Sequence, residues 1–127
     1  MPRRFAAALT AAAGLLTVGS PAFAHHSFAM FDRERVVTLV GAVKEFQWTN
    51  PHTWIQITAP DDKGMVREWS IECLSTGTLS RQGWKPGSFK SGDKVTVRMF
   101  PMKDGSAGGS FLGARLADGK TLGTMGP

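Results

Sequence analysis

The sequence has one cysteine, no tyrosine, three histidines and no apolar run long enough to cross a bilayer. Each shortage removes a class of protein. A single thiol, Cys73, excludes an internal disulfide framework and a multi-cysteine metal cluster. The longest apolar run, Phe5 to Val18, falls short of the roughly 20 residues a transmembrane helix needs, and no second candidate follows. The mature chain is therefore expected to carry no transmembrane segment. The 15 basic and 10 acidic residues leave a charge of +5 but no dense basic stripe, which argues against nucleic acid as a partner. There is no nucleophile elbow, no Gly-rich phosphate loop and no carboxylate pair with a clear task, so nothing points to an enzyme.

What is present begins with an export leader. Met1-Pro2-Arg3-Arg4 is a short basic region, an Ala- and Leu-rich run follows, Ser20-Pro21 breaks it, and Ala22-Phe23-Ala24 is an A-x-A cleavage site. Residues 1–24 read as a signal peptide, and the mature protein is expected in the periplasm or secreted. Cleavage would make His25 the first residue, with a free α-amine. That amine and the His25 Nδ1 can close a chelate ring on one metal ion. A third nitrogen from His26 or His52 completes a planar set that suits Cu(II) by ligand type and geometry. The candidate metal residues are thus His25, His26 and His52. Met30, Met99 and Met102 offer thioether sulfur to Cu(I), although methionine more often fills cores and loops.

The mature chain reads as an arm over 25–35, a barrel domain over 36–122 and a frayed tail over 123–127. Phe28 and Phe31 are spaced to pin the arm to the body. Five strands are expected near 36–48, 52–58, 65–73, 93–100 and 110–116, with Gly41 marking a bulge or bend in the first. Strict alternation puts Thr53, Ile55 and Ile57 on a core face and His52, Trp54, Gln56 and Thr58 on a more polar one. Trp69, Ile71 and Cys73 form the buried side of the third strand, and Glu68 and Glu72 share its outer side. A short helix capped by Ser75 or Thr76 and ended by Gly83 separates strands three and four. Asp118-Gly119 is a hairpin signal. The order describes an all-β protein with one short helix, a small five-stranded OB-like barrel. Trp48 and Trp54 are candidates for ligand binding by stacking, whereas Trp69 and Trp84 fill the barrel.

Ala24-His25-His26-Ser27-Phe28, Phe31-Asp32, Gly41-Ala42-Val43, Trp48-Thr49-Asn50-Pro51-His52, Trp69, Arg81-Gln82-Gly83-Trp84 and Gly92-Asp93 together resemble the DUF6152 family, small exported bacterial proteins of unknown function. The resemblance implies an exported single domain with an OB-like barrel and implies no activity. Three readings follow from the residues: a copper carrier or sequestering protein built on His25, His26 and His52; a metal-free barrel that binds a ligand or another periplasmic protein through Trp48 and Trp54; and a structural envelope component.

Overall fold

Alternation builds the walls. In the segment from Thr53 to Ile57 every second side chain is inward, and Thr53, Ile55 and Ile57 are all fully buried. In the computed structural model, which describes residues 28–126, this segment leads into β2, Trp54–Pro60. The other strands are β1, Val37–Gln47; β3, Val66–Glu72; β4, Lys94–Pro101; β5, Gly108–Leu116; and β6, Thr121–Gly123. One helix, α1, Thr76–Arg81, stands between β3 and β4. Residues 1–24, read from the sequence as a leader, and His25 and His26 lie outside the described residues.

The strands run in the order β3-β2-β1-β4-β5-β6, and a parallel pairing of β3 with β5 closes the first five into a barrel. β1 serves two neighbours: residues Val37 to Ala42 pair with β4 and Ala42 to Gln47 with β2. This is the expected OB-like barrel, with β6 added beside β5. The Asp118-Gly119 signal makes that extra hairpin: the Lys120 N–H donates to the Asp118 carboxylate at 2.9 Å, and Leu122 enters the core. Gly123, read from the sequence as the start of the tail, closes β6, and the Thr124 N–H donates to Leu112 O at 2.8 Å.

Two sequence expectations shift by a few residues. The irregularity in β1 falls between Val43 and Glu45 rather than at Gly41. Gly41 instead marks a close approach of two backbones. β5 starts at Gly108, earlier than the apolar pattern suggests, because Gly108 and Gly109 face Ser70 and Ile71 in the closing seam. A Cβ at Gly109 would sit 2.4 Å from Phe100 O, so the seam needs a residue without one.

Leu39, Val43, Ile55, Ile57, Ile71, Val95, Val97 and Met99 fill the interior. An aromatic cluster covers one part of it: Trp84 meets Phe111 at 5.1 Å and Phe89 at 5.6 Å, both edge-on, a favoured ring geometry. Ser75 caps α1 by accepting the Thr78 N–H at 3.3 Å. At the other end the Gly83 N–H bonds Ser80 O and the Trp84 N–H bonds Leu79 O, both at 3.0 Å. This pair of bonds at a positive-φ glycine terminates the helix and turns Trp84 into the core. Trp69 is buried as expected, its Nε1–H donating to Ala59 O at 3.0 Å. Among the described residues no helix is long and apolar enough to cross a membrane.

Candidate functional site

His52 is held by a turn that is itself tied to α1. Thr49 Oγ1 donates to His52 O at 2.8 Å. Asn50 Oδ1 accepts the Thr76 N–H at 3.1 Å and the Thr76 hydroxyl at 2.9 Å. The β2–β3 register sets Trp54 opposite Glu72. Cys73 N–H to Thr53 O at 2.8 Å and Thr53 N–H to Leu74 O at 3.0 Å carry the ladder one step further. His52 is therefore a diagonal cross-strand neighbour of Glu72 on one face, within side-chain reach.

The two side chains meet. His52 Nδ1 lies 3.1 Å from Glu72 Oε1 and 3.1 Å from Cys73 O. A backbone carbonyl can only accept, so Nδ1 carries the hydrogen and donates to both oxygens. In the neutral ring the lone pair is then on Nε2. The ring is 25% exposed and the carboxylate 8%.

Glu72 is the residue that the sequence misses. It reads as a solvated outer charge, yet it is buried. Closure of β5 against β3 puts Ser110 beside it, and Phe31 lines the same cavity. The signal available was the register: a short hairpin loop over 61–65 brings His52 and Glu72 together once the pairing is counted. Glu68, by contrast, is exposed as expected and pairs with Lys44.

The arm comes to the same place. Phe31 is buried and bridges Met102, the Asp32 N–H donates to Pro101 O at 2.9 Å, and the Lys103 N–H donates to Met30 O at 2.9 Å. Phe31 thus pins the arm as its spacing suggested. Phe31, Arg33, His52, Glu72, Trp84 and Phe111 share a cavity of about 350 Å³. Among the described residues no three His, Cys, Asp or Glu side chains form a metal-binding group. His52 and Glu72 are the pair brought together. The Arg33 guanidinium stacks over Phe100 at 5.7 Å.

The two candidate tryptophans part company. Trp48 is half-buried against the core with Phe46 at 5.8 Å. Trp54 is half-buried and lines a second cavity with Met30 and Met102. Met99, the third candidate thioether, is fully buried in the core.

Cys73 faces the core at 5% exposure. Burial, followed by the Glu72 charge, pushes its thiol well above the ordinary range. The thiolate is the reactive form, so the native protein is expected to resist a thiol reagent at mildly alkaline pH. The same assay in concentrated guanidinium should release one thiol per chain. Rapid native labelling would show that the chain opens at Cys73, just past the end of β3.

Among solved structures, the mitochondrial single-stranded DNA-binding protein Rim1 of S. cerevisiae is similar at 14% identity with a TM-score of 0.48, over 65% of this chain and 93% of that one. No curated protein matches the sequence. The family described as a family of unknown function, DUF6152, matches residues 11–111. With most of the chain inside that match, the protein belongs to the DUF6152 family.

Proposed function

We propose that this is an exported copper-binding protein that carries or sequesters Cu(II) through a mature N-terminal His25 and His52, with His26 as an alternative or fourth ligand. The observation that supports it is the double anchor on His52 Nδ1. Metal-ligating histidines usually donate the other ring N–H to a carboxylate or carbonyl, which sets the tautomer and raises ligand basicity. His52 has both partners in place, so its donor chemistry fits an imidazole-favouring metal.

The arm supports the second half. His25 is six residues before Phe31; Phe28–Met30 is a 3-10 turn, which advances only about 2 Å per residue, so the segment spans roughly 16 Å at most. Phe31 lines the His52 cavity, and under this reading the segment before it turns back to bring His25 to that cavity. The α-amine and Nδ1 of His25 would chelate, and His52 Nε2 would close the set. Bound copper would supply a tight, nitrogen-rich Cu(II) centre. The chain's part is to hold His52 in one tautomer, keep Glu72 beside it and anchor the arm. The metal-free reading through Trp48 and Trp54 keeps support at Trp54 alone, since Trp48 packs on the core.

The test is a competitive Cu(II) titration of protein recovered from a bacterial periplasm, its first residue read by intact mass. One tight equivalent with a nitrogen-rich paramagnetic resonance spectrum is expected. One extra residue before His25 should weaken it by roughly 100-fold or more, beyond the 10–100-fold typical of a supporting partner. A retained leader, or binding indifferent to the extension, overturns the reading.

A further inference from the structure

We infer that Met30, Met102 and Trp54 form a second site, distinct from the His52 nitrogen and suited to a soft monovalent cation of the Cu(I) class. The three residues come from separate segments. Met30 is in the arm, Met102 follows β4, and Trp54 opens β2. They line one cavity of about 230 Å³ whose wall also includes Phe31, Ser70 and Glu72.

The backbone fixes both thioether-bearing segments. Met30 O accepts the Lys103 N–H at 2.9 Å, and the Met102 N–H donates to Gly108 O at 3.2 Å. Met102 also stands opposite Phe31 in an isolated antiparallel bridge. Trp54 is opposite Glu72 in the β2–β3 ladder, so the two side chains share a face. Residues that carry two thioethers, an indole and a carboxylate thus line one small volume.

Each group favours the same kind of ion. Thioether sulfur selects Cu(I) over hard divalent cations. An indole face attracts a cation placed over it, more strongly once water is removed. Glu72 contributes negative charge from a buried position, where screening is weak. A hard divalent cation would find one carboxylate there and few other oxygens.

The alternative for a methionine is to fill a gap in the core. Met99 shows what that looks like here: it is fully buried and belongs to the central cluster. Met30 and Met102 do neither. Met30 is 42% exposed, and neither residue is part of the central cluster. They gather at a solvent-reached cavity on the edge of the barrel. Phe31 and Glu72 line both this cavity and the His52 cavity, so the soft site and the nitrogen site back onto the same two side chains. No ligand of the soft site is a nitrogen, and it stands whether or not His25 binds Cu(II).

The experiment titrates the periplasm-derived protein with Ag(I), a redox-inert probe, and with Cu(I) without oxygen, each against a competing chelator. One tight equivalent is expected. Met30→Leu and Met102→Leu should each weaken it by roughly 10-fold or more, the scale on which even supporting groups act at metal sites. The double variant should lose more. Leucine conserves volume, so these variants stay folded, and a thermal melt checks that. Binding should quench tryptophan emission, and Trp54→Phe should remove that response. Cu(II) affinity should be unchanged in the leucine variants, and Ag(I) affinity unchanged by an extra residue before His25. A folded double variant that binds Ag(I) as tightly as the parent overturns the site. Quenching that survives Trp54→Phe overturns the role of the indole. Loss of Ag(I) binding on N-terminal extension assigns the soft ion to the terminus and also overturns the proposal.

Discussion

Gly41→Ala is expected to destabilise the protein by about 3 kcal/mol, at the upper end of ordinary overpacking costs. At Gly41, β1 pairs with Val95 of β4 while β2 crosses close beneath it. A Cβ there would lie 2.1 Å from Thr58 O and 2.8 Å from the Ala59 Cβ. Neither neighbour can rotate away: one is backbone, and Ala59 is itself 1% exposed. Relief requires parting β1 from β2, which disturbs the Ala42–Thr58 rung directly beside it. For a domain near this size each kcal/mol moves the melting temperature by about 4–8 °C, so thermal melts should show a fall on the order of 12–24 °C. Gly87→Ala is the control, since nothing lies within 4 Å of its added methyl. A Gly41→Ala melt indistinguishable from that control would mean that the crossing is slack.

The second large effect concerns Glu72. Glu72→Gln keeps the shape and an accepting oxygen but removes the charge that faces His52 Nδ1. Under the proposed copper site it should weaken Cu(II) binding by roughly 10–100-fold, as for other supporting partners of metal-bound histidines. His52→Ala removes the nitrogen itself and should cost more. Both variants are measured by competitive titration, alongside a melt that checks folding. If Glu72→Gln binds as the parent does while His52→Ala fails, Glu72 serves only packing. If neither variant matters, His52 is not a ligand.

Helix capping, the buried faces of β2 and β3 and the presence of a hairpin at Asp118-Gly119 were readable because each rests on neighbours in sequence. Ser75 needs only the Thr78 N–H three residues away. Thr53, Ile55 and Ile57 need only a period of two. Gly108 and Gly109 misled for the opposite reason. Glycine pairs usually mark a mobile loop, and what makes these two a strand is the backbone of β3 and β4 pressing on them. The bulge near Lys44 was displaced from Gly41 because register shifts depend on the partner strand as well as the strand itself.

The sequence by itself determined the all-β class, which side of β2 and β3 is core, and which side chains carry nitrogen or sulfur donors: three histidines and a handful of methionines. Those are properties of residue type and short-range period. Only the tertiary structure decided that Glu72 is buried against His52 and that Phe31 and Arg33 border the same cavity. It also decided that Met30 and Met102 share a wall with Trp54 while Met99 does not. The His52–Glu72 contact depends on the β2–β3 register, and the burial and shared cavities on the parallel seam between β3 and β5 and the bridge from Phe31 to Met102. Such contacts join segments tens of residues apart, and no local pattern encodes the register in which they meet.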